Sequence, residues 1–141
     1  MTQQDKSNYF KGLLILIGKD KKISEVERTN LKKLADVLGF NKEFCDNAIA
    51  ELFENEYILE VPPEFSNPEI AKAFIEDGIR IAFSDKKLHI FELYWLKYVA
   101  EKNSLGKEWS IQKFNKTQQG EGLLNKFEIE NYLELANKEL I

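Results

Sequence analysis

Two octapeptides decide how this chain is read: Asp20-Lys21-Lys22-Ile23-Ser24-Glu25-Val26-Glu27 and Asp85-Lys86-Lys87-Leu88-His89-Ile90-Phe91-Glu92. They lie 65 positions apart, and the same shift pairs Leu31-Lys32 with Leu96-Lys97, Ala35 with Ala100, Asp36 with Glu101, Tyr9 with Phe74 and Leu16 with Ile81. A Lys-Lys match arises easily in a charged chain. A register kept across two apolar stretches and the turn between them marks a duplication. Each half holds an apolar helix, a short Asp-containing turn, an amphipathic helix opening near Ser24 or His89, and a further helix after a Leu-Gly pair, Leu38-Gly39 or Leu105-Gly106. The pseudo-repeats span about 9–55 and 74–119. Two copies are too few for a solenoid, so the pattern predicts one closed helical bundle.

Outward from the repeat, apolar residues recur at helical spacing: Tyr9, Leu13, Leu16 and Ile17; Leu31, Leu34, Ala35 and Leu38; Cys45, Ala48, Ile49, Leu52 and Phe53. The series continues with Ile70, Phe74, Ile75, Ile79 and Phe83, then Phe91, Trp95, Tyr98 and Val99, and finally Leu124, Phe127, Leu135 and Ala136. No segment sustains the alternation of a half-buried strand. Tyr57-Ile58-Leu59-Glu60-Val61 runs into Pro62-Pro63 and reads as a linker between the halves. Helix ends carry their own chemistry. Ser24 with Glu27 fits a capping box. Gly39 before Asn41 suggests a left-handed helix end followed at once by a new cap. Asn67-Pro68 places a cap before a proline whose missing N–H costs nothing, and Gly120 and Gly122 flank a break before the last helix. The expected architecture is all-α, a bundle of about seven helices near 5–18, 24–38, 42–55, 68–83, 89–103, 110–118 and 122–138. Residues 1–109 form the duplicated unit, and 110–141 a C-terminal extension packed on the same core.

Composition narrows the function classes. The chain has 141 residues, 20 Lys plus Arg against 24 Asp plus Glu, one His and one Cys. A disulfide framework or zinc ribbon needs several cysteines, and Cys45 stands alone on an apolar stripe, where a buried structural thiol is expected. The first apolar run, Leu13 to Ile17, is too short for a signal-peptide core or a membrane span. The net charge of −4 gives no general attraction to nucleic acid or anionic membrane. The expectation is a cytoplasmic domain that binds neither. Charge is uneven, with two basic and ten acidic groups over residues 41–77. Such a block is usually a solvated helix face and otherwise a surface for a basic partner or a cation. Phosphate-cradling glycine loops, a nucleophile elbow and a His-Glu-x-x-His pair do not occur. No enzyme is expected.

The doubled Asp-Lys-Lys-apolar-x-x-x-Glu turn, between an apolar and an amphipathic helix, resembles that of the TerB-like family, the helical domain of tellurite-resistance proteins and of a membrane-anchored J-domain co-chaperone. The resemblance covers residues 9–109 and implies a non-enzymatic binding or sensing module in a bacterial stress response or tellurite resistance. It also implies a divalent-cation site, with Ca²⁺, Mg²⁺ or Zn²⁺ as candidates, at Asp20, Glu27, Asp85 and Glu92. Two departures stand out. Lys21 and Lys86 occupy the place of the family's usual glycine and set an ammonium beside each carboxylate, and His89 stands where a Ser, Thr or Asp cap is expected. A Ca²⁺ ion takes about six to eight oxygens, so two side chains per copy suffice only if the turns pool their carboxylates. Without metal, the same glutamates fit the first turn of a helix, where negative charge favours the macrodipole.

The alternative is a metal-independent protein-interaction scaffold, with a protein partner or a second copy docking on the helix from about Gly122 onward. Of the aromatic run Phe91, Tyr94, Trp95 and Tyr98, packing should take most, leaving one ring, Tyr94, for a groove. His89 is expected to cap a helix or lie on the surface.

Overall fold

The computed structural model describes residues 1–19, 22–54, 60–84, 89–116 and 124–139. Seven α-helices follow one another: α1 (Gln3–Ile17), α2 (Glu25–Val37), α3 (Lys42–Glu54), α4 (Pro68–Ala82), α5 (Ile90–Lys102), α6 (Lys107–Lys116) and α7 (Glu128–Glu139). The described residues contain no strand.

The duplication is written into the starts of the first six helices. α4, α5 and α6 each begin 65 residues after α1, α2 and α3, and the first two pairs also end in that register. Helix ends repeat atom for atom: the Phe40 N–H donates to the Ala35 carbonyl at 2.8 Å, and the Leu105 N–H to the Ala100 carbonyl at 3.0 Å. This wrapped closure needs a left-handed residue after the helix. Gly39 supplies it in the first half (φ 87°) and Ser104 in the second (φ 56°). The counterpart of Gly39 is therefore Ser104, and the expected pairing of Leu38-Gly39 with Leu105-Gly106 is two residues out of register.

The expected caps form. Ser24 accepts the Glu27 N–H at 3.1 Å, and Asn67 accepts the Ile70 N–H at 3.1 Å with Pro68 opening α4. Asn41 accepts the Phe44 N–H at 2.7 Å. Thr2 and Asp5 add a capping box at α1. Asp5 also accepts the Ser66 N–H and hydroxyl. Burial works against its charge, but these bonds outweigh it and hold the carboxyl below its ordinary value.

α1 and α4 form the middle of the bundle. α1 packs against α2, α3, α4 and α5, which is why its Leu13-Leu14-Ile15-Leu16-Ile17 run is buried on every side. α4 packs against α1, α2, α5 and α7. Close approach of these helices to their neighbours needs small residues: a Cβ on Gly12 would lie 2.8 Å from the Phe74 ring of α4, and one on Gly78 would lie 2.6 Å from a Leu96 methyl of α5 and 3.2 Å from one of Leu16 in α1.

Two expected boundaries move. α6 begins at Lys107, three residues earlier than its apolar pattern suggests, and α7 begins at Glu128 rather than 122. Leu124 and Phe127 fit the apolar stripe of a longer helix but lie before α7, buried in the common core with Ile129. The expected break at Gly120 and Gly122 lies outside the described residues.

Candidate functional site

Glu27 and Glu92 occupy the third position of α2 and α5, and both are buried. The Glu27 carboxylate accepts the Ser24 N–H at 3.1 Å, and the Glu92 carboxylate accepts the His89 N–H at 2.9 Å. His89 closes its box through Nδ1, which accepts the Phe91 N–H at 3.3 Å. An imidazole thus does the work of the serine in the first copy. Each glutamate is turned back on its own helix start, as the capping reading expects. Asp20 and Asp85, the other two candidate metal ligands, lie outside the described residues. Among the described residues no group of three or more His, Cys, Asp or Glu is arranged to hold a metal ion. Cys45 is a buried free thiol whose pKa desolvation raises.

The polar centre of the molecule is one that the sequence pattern did not single out. Asp77, on α4, is fully buried. It accepts the Tyr9 hydroxyl at 2.6 Å, the Glu128 N–H at 2.7 Å and the Ile129 N–H at 3.2 Å. It therefore caps α7 from another helix, placing its acceptor oxygens at that helix's unpaired N–H groups. Arg80 lies 3.7 Å from the carboxylate and donates to the Lys126 carbonyl at 2.7 Å. Desolvation pushes Asp77 up to about 7, against the lowering pull of Tyr9, the two backbone donors and Arg80. Tyr9 is driven well above its ordinary value by burial and by the charge of Asp77. The available signal was a carboxylate on the apolar stripe of α4, three residues from Phe74 and four from Ile81.

Among the grooves that the described residues form are three between neighbouring helices. One, of about 540 Å³ between α4, α6 and α7, has two ion pairs on its rim: Lys72 pairs with Glu69 at 3.7 Å and Lys113 with Glu76 at 2.5 Å. The other two are repeats of each other. Lys32, Ala35, Asp36, Phe40, Lys42 and Cys45 line the groove between α2 and α3. Lys97, Ala100, Glu101, Leu105, Lys107 and Ser110, at matching positions, line the one between α5 and α6.

The faces beside these twin grooves differ. α2 presents Glu25, Val26, Thr29 and Lys33, and α5 presents Ile90, Phe91, Tyr94 and Tyr98 at the same four positions. All four α5 side chains are exposed. Of the aromatic run expected to be mostly core, only Trp95 is buried, its indole N–H donating to the Gly12 carbonyl at 3.0 Å. The C-terminal segment packs on the common core. Leu124, Phe127 and Ile129 anchor it in the core, so it is a structural element of the bundle.

Comparison with protein-family models, with curated proteins and with solved structures finds no match for this chain.

Proposed function

We propose that this chain is a non-enzymatic, metal-independent helical scaffold that docks a protein on the outer face of α5 and its adjoining groove against α6. One observation carries the reading. The same helix occurs twice in the same fold, and only the second copy is aromatic on its solvent face. The first copy demonstrates that the bundle is compatible with Thr29 and Lys33 at these positions. Tyr94 and Tyr98 therefore answer to something other than the fold, and exposed contiguous apolar surface of this kind marks interaction sites.

The test exchanges the residues of one repeat for those of the other. Tyr94→Thr with Tyr98→Lys should unfold in urea within about 0.5 kcal/mol of the wild type, as surface substitutions do, while losing the binding of an apolar fluorescent dye. A loss of several kcal/mol would assign the rings to the fold and refute the reading.

A second reading is favoured by the helix-by-helix register of the repeat and by the matching roles of Glu27 and Glu92. Both fit the TerB-like resemblance, and with it would come a stress-response setting in which a cation is held by Asp20, Asp85 and these glutamates. The capping bonds already made by both glutamates weigh towards the scaffold.

A further inference from the structure

We infer that the partner of the α5–α6 face is a second copy of this chain, in a two-fold dimer whose α5 helices run antiparallel across Tyr98. The inference rests on the docking reading above and names its occupant.

Complementarity of shape comes first. Ile90, Phe91 and Tyr94 project from the N-terminal half of α5 with exposures of 54%, 54% and 49%. The groove beside its C-terminal half, formed by Ala100, Leu105, Ile111 and Phe114, has a volume of about 160 Å³. That matches the roughly 150 Å³ at which an apolar cavity takes up a benzene-sized ring. Knob and groove lie at opposite ends of one helix. Reversing a second copy about Tyr98 sets each knob against the other's groove, the reciprocal contact of an isologous interface.

Charge agrees with this arrangement. Lys97 and Glu101 flank the face, one turn apart, and among the described residues neither has an ion pair. Antiparallel pairing brings Lys97 of each protomer towards Glu101 of the other. The corresponding Lys32 of the first repeat is instead satisfied within the protomer by Asp46 at 3.1 Å. At the position of Asp46 the second repeat carries Ile111, 57% exposed. The second groove has lost its internal ion pair and gained an apolar wall.

The apolar area fits a weak, reversible dimer. Aromatic side chains bury about 150–250 Å² each when covered, so the half-exposed Ile90, Phe91, Tyr94, Tyr98 and Ile111 offer on the order of 500 Å² per protomer. A standard interface uses about 800 Å² per partner, and the polar rim of His89, Lys97, Glu101 and Lys107 borders the same patch.

Sedimentation velocity across a concentration series, from low micromolar to several hundred micromolar, tests the assignment. The wild type should dimerise reversibly, and Tyr94→Thr with Tyr98→Lys should stay monomeric throughout. Lys97→Glu alone and Glu101→Lys alone should each weaken self-association at least tenfold. An equimolar mixture of the two should dimerise again, because both crossing pairs then join opposite charges. A wild type that stays monomeric overturns the second copy as occupant. Should the tyrosine variant still lose dye binding without losing stability, the docking face itself survives that result. A dimer indifferent to all these variants, or single charge variants that the mixture does not restore, would place self-association elsewhere and overturn the proposal.

Discussion

Replacing Asp77 by Asn should change how stability depends on pH. Asp77 is fully buried, and desolvation raises its pKa from 3.8 to about 7 in the folded protein. A rise of that size is equivalent to about 4 kcal/mol. Below pH 4 the carboxyl is protonated in both folded and unfolded chains, and its titration contributes nothing. Between pH 4 and 7 the unfolded chain releases the proton while the folded one keeps it, so rising pH favours unfolding. Above pH 7 the loss is complete. An asparagine has no such titration. Its amide cannot accept from both the Glu128 and Ile129 N–H groups while presenting an NH₂ to one of them, which leaves a deficit of about 1–3 kcal/mol that is independent of pH. The stability of Asp77→Asn minus that of the wild type should therefore climb by up to about 4 kcal/mol between pH 4 and pH 8. Urea unfolding, followed by the fluorescence of Trp95 and Trp109 at each pH, measures both curves. Parallel curves, or a difference that falls as pH rises, would mean that the surrounding donors outweigh desolvation and would refute this account of the site.

Other substitutions probe the packing and the repeat. Gly78→Ala places a methyl 2.6 Å from the Leu96 side chain and should cost about 1–3 kcal/mol by overpacking, read from the same urea midpoint. Ser104→Gly should raise stability by about 1 kcal/mol by relieving a left-handed residue, and Gly39→Ser should lower it by a similar amount; equal effects of like sign would refute the equivalence of the two positions. Calorimetric titration with Ca²⁺, Mg²⁺, Mn²⁺ and Zn²⁺ should give no heat that depends on Asp20 or Asp85. A saturable heat abolished by Asp20→Asn with Asp85→Asn would instead favour the cation reading.

The helices and their pairing were legible because the signals that specify them are local. Apolar spacing, cap residues and the 65-residue register all lie within a few turns of the backbone they organise. The start of α7 was not legible, because Leu124 and Phe127 satisfy a helical stripe without being helical. What ends their segment is Asp77, some fifty residues away, accepting the first N–H groups of α7. The aromatic face of α5 was hidden for a different reason. That helix carries aromatic residues on more than one face, so periodicity cannot say which rings the core takes, and only the packed neighbours show that Trp95 goes in while Phe91, Tyr94 and Tyr98 stay out. Glu27 was legible as a cap from its Ser partner. Glu92 carried the same role behind a histidine, a less common cap that the repeat register alone exposed.

The asymmetry of the duplicated bundle and the docking of α7 are one event. Gly12 in α1 corresponds to Asp77 in α4, and Asn30 in α2 to Trp95 in α5. On one side of the pseudo-symmetric pair, Trp95 fills the space and spends its N–H on the Gly12 carbonyl. On the other, Asn30 accepts the Leu124 N–H at 2.9 Å and Asp77 accepts those of Glu128 and Ile129. Two polar residues thus receive the backbone of the C-terminal segment where the other half has a large ring. Stripping that segment away would leave a buried carboxylate without its helix and an apolar seam without Leu124, Phe127 and Ile129. A segment bound in this way is ill suited to serve as a detachable docking arm. On the proposed docking reading, recognition falls to surface that folding does not use, and the repeat points to that surface by its own first copy: the face where α2 is content with Thr29 and Lys33 and α5 carries Tyr94 and Tyr98.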